Sequence, residues 1–148
     1  MSAVVKDNIT AFASAALPAA GAFTTTGVEI DCNGYQLANF FFTYTRGGAA
    51  GSVDYAFDFS VDGSTWIQQV YKINSASFSA GTDYRANVQR YEALYTATSA
   101  NAEYWTDEVD GLHAVKIRIR AKEVGNTGAP GTLAVTCRLT RTDMNDAG

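Results

Sequence analysis

Histidine and cysteine are scarce in this sequence, at one and two in 148 residues, and each scarcity excludes a class of function. A catalytic triad or metal centre built on His113 would need partners that nothing nearby supplies, so a surface or part-buried imidazole beside a strand is expected. Cys32 and Cys137 lie far apart, outside any C-x-x-C and away from a histidine at ligand spacing, which argues against zinc. They are expected as two buried free thiols, the alternative being one disulfide if the first and last strands are neighbours. Basic residues are outnumbered, 11 Lys and Arg against 15 Asp and Glu, for a net charge of −4. That sign does not displace counterions from a polyanion, so no nucleic-acid partner is expected. No apolar run approaches the roughly 20 residues of a membrane span, and no membrane partner is expected. The stretch Ile9 to Leu17 is short and Ala-rich, with Asp7, Asn8 and Thr10 among or beside it and Lys6 alone for positive charge; it is not read as a signal peptide. The pattern Asn8-Ile9-Thr10 then carries no glycosylation meaning. P-loop, G-x-S-x-G and dinucleotide fingerprints are all missing, and no cofactor is expected.

What is present is material for strands. Hydrophobic residues make up 47% and aromatics 12%, which suits a sheet protein whose single core needs neither disulfide nor metal. The clearest stretch is Tyr55 to Ile73, read as a hairpin bent over Asp62-Gly63. Tyr55, Phe57, Phe59 and Val61 alternate with Asp54, Ala56, Asp58, Ser60 and Asp62, so aromatics face one way and acids the other. Gly63 supplies the positive φ of a tight reversal. A two-residue loop would set Trp66 and Val70 beside Phe59 and Tyr55; a bulged three-residue loop, the favoured reading, turns Ile67, Tyr71 and Ile73 inward.

Further strands are expected at Phe23 to Ile30, Tyr35 to Tyr44, from about Tyr91, Glu103 to Val109, Leu112 to Lys122, and through Leu133, Val135, Cys137 and Leu139. Short strands between Gly-rich turns specify an all-β chain, a single antiparallel β-sandwich of jelly-roll or immunoglobulin-like topology. Residues 1–22 lack sustained alternation and read as an extended N-terminal arm, 23–142 as the sandwich and 143–148 as a polar tail. Val4, Val5, Ile9, Phe12 and Leu17 are apolar enough for the arm to dock on a surface, that of a neighbouring copy being one candidate. Phe40, Phe41 and Phe42 are consecutive and must point to both faces of their strand, which therefore needs two covers: the opposite sheet and either the arm or another subunit.

Interface candidates follow from these patterns: Phe12 and Leu17 on the arm, Phe40 and Phe42 on the doubly apolar strand, Trp66 after the turn, and the basic stripe Lys116, Arg118 and Arg120, continued by Lys122. Opposite the stripe, the acids Asp54, Asp58 and Asp62 offer pairing across strands or between copies. Glu103, Asp107, Glu108 and Asp110 are the densest acidic cluster, but no calcium-loop pattern is present and a solvated turn is expected. Trp66, Tyr104 and Trp105 could stack on a sugar, although core packing is the commoner fate of such rings. No catalytic, cofactor-binding or metal-binding residue is assigned.

Two stretches carry a family resemblance. F-D-F-S-V-D-G-S-T-W, residues 57–66, resembles a hairpin recurrent in β-sandwich modules of phage virion proteins and in discoidin-like carbohydrate-binding modules. Y-W-T-D-E-V-D-G-L-H-A-V-K-I-R-I-R, residues 104–120, with the Gly-rich loop and T-L-A-V-T-C-R-L-T after it, is similar to the closing strands of small tailed-phage structural proteins. The resemblance implies a non-enzymatic virion component, first of all a capsid decoration (cement) protein that meets the major capsid protein or other virion subunits and forms a homo-oligomer. The alternative it implies is a carbohydrate- or receptor-binding module of a tail or fibre.

Overall fold

A computed structural model describes residues 3–17, 25–46, 52–68, 89–92, 102–110, 112–124 and 131–142. Among the described residues ten strands form two antiparallel sheets. They are β1 (Ala3–Ala16), β2 (Thr25–Thr26), β3 (Ile30–Asp31), β4 (Leu37–Thr45), β5 (Ser52–Ser60), β6 (Ile67–Gln68), β7 (Gln89–Glu92), β8 (Ala102–Asp110), β9 (Lys116–Val124) and β10 (Thr132–Thr142). One sheet has the order β1-β10-β4-β8. In the other, β9 and β5 are central; β2 and β3 share the free side of β9, and β6 and β7 share the free side of β5. The pairing is therefore nested: β1 with β10, β2 and β3 with β9, β4 with β8, β5 with β6 and β7. That first-with-last wrapping is a jelly roll, which decides between the two topologies the sequence leaves open.

The core lies between the sheets. Phe40 and Phe42 on β4 meet Phe57 and Tyr55 on β5, with ring centroids 4.8 and 4.6 Å apart. Ile117, Ile119, Leu133, Val135 and Leu139 complete it, as the alternation of β9 and β10 requires. Cys32 and Cys137 are free and buried, as their isolation in the sequence suggests. Burial pushes their thiols up to about 11 and about 12, Asp31 adding to the effect at Cys32.

Of the stretch read as an N-terminal arm, Ala3–Ala16 forms an edge strand of the chain's own sandwich. β1 runs 14 residues against the 11 of β10, and three register shifts, between Lys6 and Ile9, Thr10 and Phe12, and Phe12 and Ala15, absorb the surplus. Each bulge inserts a residue and resets which face the next side chain takes. Hence adjacent Ala11 and Phe12 are both buried, and Asn8 in the first bulge takes φ 56°. Period-two alternation is erased by the bulges, so no strand pattern is visible in the sequence.

The expected strand from Phe23 to Ile30 is split into β2 and β3 by Gly27; Phe23 lies outside the described residues. Gly27 N donates to Ile119 O at 2.6 Å and Val28 N to Ala11 O at 2.9 Å, so the chain steps from the β9 edge across to β1 and ties the sheets together. A Cβ at Gly27 would lie 2.3 Å from Ala11 O, and only glycine fits this crossing. At the hairpin, Phe59 pairs with Ile67 and Asp58 with Gln68, the register of the bulged reading. Ile67 is nonetheless 57% exposed, because β6 is a short edge. Tyr71 and Ile73 lie outside the described residues. Asp62 Oδ1 accepts from Thr65 N at 2.7 Å and Ser64 N at 2.8 Å, and Gly63 has φ 86°. Those two backbone donors hold the Asp62 carboxyl well below the usual carboxylate range.

Candidate functional site

The outer face of the β5–β9 pair holds the charges that the sequence separates into an acid face and a basic stripe. Antiparallel register sets Asp58 opposite Arg118, with Arg120 two residues further along the same face. Arg118 Nε donates to Asp58 Oδ2 at 3.0 Å and Arg120 Nε to the same oxygen at 2.8 Å. Asp58 is 1% exposed and Arg120 9%. The indole of Trp66 covers Arg118, 4.2 Å from the guanidinium carbon to the ring centroid. Cross-strand pairing within one chain thus engages Trp66, Arg118 and Arg120, three of the candidates for contact with other subunits. Lys116 is half-buried. The apolar candidates Phe12, Leu17, Phe40 and Phe42 are all core residues at 3% exposure or less, so they stabilise this chain and present no surface to another.

A second polar cluster closes the end of the sandwich where β4 finishes. Buried Glu123 accepts from Tyr44 Oη and, at 2.8 Å, from Gly131 N. Glu103 receives Arg46 Nε at 3.0 Å, Arg46 Nη2 at 3.2 Å and Tyr91 Oη at 3.2 Å. Tyr55 Oη donates to Asp107 Oδ2 at 2.8 Å. Burial first, and the accepting carboxylate second, push the phenols of Tyr44 and Tyr55 far up. Trp105 is stacked on both faces, by Tyr91 at 4.0 Å and Phe42 at 4.8 Å, so neither face is left for a sugar. This stack and these bonds join β8 to the opposite sheet.

The acidic cluster therefore does not converge. Strand alternation turns Glu103 and Asp107 inward to Arg46, Tyr91 and Tyr55, and leaves Glu108 and Asp110 outside. The four acids lie on the two faces of a strand rather than in the expected turn. Among the described residues no group of three or more His, Cys, Asp or Glu could hold a metal ion.

No family model and no curated protein matches the chain. The chain is similar to the SPBc2 prophage-derived protein YomS. Their structures align with a TM-score of 0.47 and 13% identity, over 95% of this chain and 96% of that one. Likeness at that level assigns no residue a role.

Among the described residues two surfaces stand out once the internally engaged side chains are set aside. At the end opposite the Glu103 cluster, the segment 112–115 separates two clefts of about 280 and 360 Å³. The first has an apolar floor of Phe59, Val61, Val109 and Leu112; the second is bordered by Asn33, Tyr35 and Gln36. Exposed His113 stands between them. The other surface is the outer face of the β1-β10-β4-β8 sheet. Register aligns Thr136, Phe41 and Thr106 in one row across β10, β4 and β8, and Ala134, Thr43 and Tyr104 in the next. These rows carry no charge, yet Phe41 is 44% and Tyr104 72% exposed. Phe41 is the outward member of the Phe triplet, and β1, which was expected as a possible cover for it, lies beside β10 in the same sheet instead.

Proposed function

We propose that this chain is a structural protein of a virion, a capsid decoration (cement) protein that binds an assembled shell and stabilises it. The observation that carries this reading is the pair of uncharged rows on the outer sheet face with Phe41 and Tyr104 exposed, an apolar area that no described residue of the chain covers. The resemblance of residues 57–66 and 104–120 to phage virion proteins supports the same reading. So does the disposition of the polar groups: the acids and phenols with chemical potential hold strands together, which suits a scaffold with no catalytic role. The mechanism is mass action, since a protein that binds only the assembled state shifts the equilibrium toward it, by about 2.7 kcal/mol per site at a hundredfold excess over Kd. The partner is the major capsid protein or another virion subunit. The test is co-sedimentation of the purified protein with shells, together with the melting temperature of those shells. Binding with a raised melting point is expected; protein that stays in the supernatant and leaves melting unchanged sinks the reading.

A carbohydrate- or receptor-binding module of a tail or fibre is the second reading, favoured by the two clefts beside His113 and by the use of jelly rolls in lectins. Of the three rings suited to stacking on a sugar, Trp105 is covered on both faces and Trp66 is occupied by Arg118, which leaves Tyr104. Tyr104 lies on the sheet face, away from either cleft's lining. A glycan array on which the protein binds would favour this second reading over the first.

A further inference from the structure

We infer that the outer face of the β1-β10-β4-β8 sheet binds a second copy of this chain, through a two-fold axis lying along β4. The assignment comes from the register. β10 and β8 flank β4 on its two sides, each about 5 Å away. A two-fold along β4 therefore lays β10 of one copy over β8 of the other, and each row of the face meets itself reversed.

Three rows then find a complement. Arg138, Asn39 and Glu108 form one row, with the exposed cation and the exposed anion two strands apart, about 10 Å. On reversal Arg138 faces the partner's Glu108, and the partner's Arg138 faces Glu108, giving two equivalent ion pairs at the rim. In the uncharged rows, large Tyr104 falls over the partner's small Ala134, Thr136 falls over the partner's Thr106, and Phe41 meets its own image beside the axis. Rings meeting at an axis pack offset, which suits the roughly 30° crossing of aligned sheets. β1 falls beyond the partner's β8, so three strands overlap; at about 4.8 Å apart and nine residues long they span about 14 by 30 Å, near 430 Å² per copy. That is about half of the roughly 800 Å² per partner of a standard interface, so the dimer is weak and concentration-dependent. The inference rests on the same face as the proposed function, so the second copy covers Phe41 and Tyr104 in free solution and gives way to the shell on binding.

Sedimentation of the purified full chain over a dilution series, without shells, tests it. Wild type is expected to pass from monomer to dimer. Arg138→Glu and Glu108→Arg each oppose like charges twice across the axis and should raise Kd by about tenfold. The combined Arg138→Glu and Glu108→Arg chain restores opposite charges and should return Kd to within about threefold of wild type. Phe41→Ser should raise Kd further, while its far-ultraviolet spectrum stays unchanged because its side chain lies outside the core. A wild type that stays monomeric at every soluble concentration overturns the inference, as does a dimer indifferent to Phe41→Ser or one that the double charge swap fails to rescue. Shell binding is read separately, so a monomer that still decorates shells would remove the dimer and leave the proposed function standing.

Discussion

The sandwich has two outer faces built in opposite ways. On the β5–β9 pair, Asp58, Arg118 and Arg120 are drawn together under Trp66, and the outward residues Asp54, Ala56, Asp58 and Ser60 are as buried as a core. On the β4–β8 pair the outward residues are threonines and two exposed aromatics, with charges confined to the rows nearest the clefts. Both faces belong to strands of the same length and similar apolar content. What separates them is whether the chain itself completes the face. The charged face pairs its ions within one copy, while Phe41 and Tyr104 stay exposed on the other, which is why the proposals rest on that face.

The contrast breaks first at Asp58. Removing its carboxylate leaves Arg118 and buried Arg120 with no shared anion, so Asp58→Ala should destabilise the chain by about 3–5 kcal/mol in urea unfolding. A chain combining Asp58→Leu, Arg118→Met and Arg120→Met should recover to within about 1 kcal/mol of wild type, since an apolar set of similar volume avoids the desolvation of the ions. A small loss in Asp58→Ala would mean that the face is solvated after all.

Interior phenols give the next largest effect. Tyr44 and Tyr55 have folded-state values raised above the ordinary 10.0, so their stabilisation is complete below pH 10 and is lost as the pH rises beyond it. Tyrosinate absorbance from these two should therefore emerge together with base unfolding, and not before it, in a titration followed by ultraviolet absorbance and circular dichroism. Early, independent ionisation would place their hydroxyls in water.

Smallest is the effect expected on the open face. Phe41→Ser should shift the unfolding free energy of the monomer by less than about 0.5 kcal/mol, an exposed substitution away from caps, cavities and ion pairs. A loss near that of a core phenylalanine, about 3–5 kcal/mol, would show that the face is already covered within the monomer.

Local alternation made much of this architecture legible. In β4, β5, β9 and β10 the side chains repeat with period two, and the hairpin register followed from the more apolar choice at Ile67 over Trp66. Period two, however, says only that two faces differ; it does not say which strand lies alongside. The pairing of Asp58 with Arg118 and Arg120 depends on β5 lying beside β9, across 60 residues of chain, and so the basic stripe was equally readable as a binding surface. β1 was hidden for another reason, because its three bulges reset the alternation that would have revealed it.

By itself, then, the sequence determined the class of the fold, the strands that keep strict alternation, the tight turn at Asp62-Gly63 and the want of a metal or nucleotide motif, all of which depend on neighbours a few residues apart. Tertiary structure alone decided that the wrapping is a jelly roll, that the N-terminal stretch is an edge strand, that Trp66, Arg118 and Arg120 are engaged within the chain, and that Phe41 and Tyr104 share an exposed face. Each of these depends on which distant strands become neighbours, and strand order is set by burial of the whole chain rather than by any local pattern.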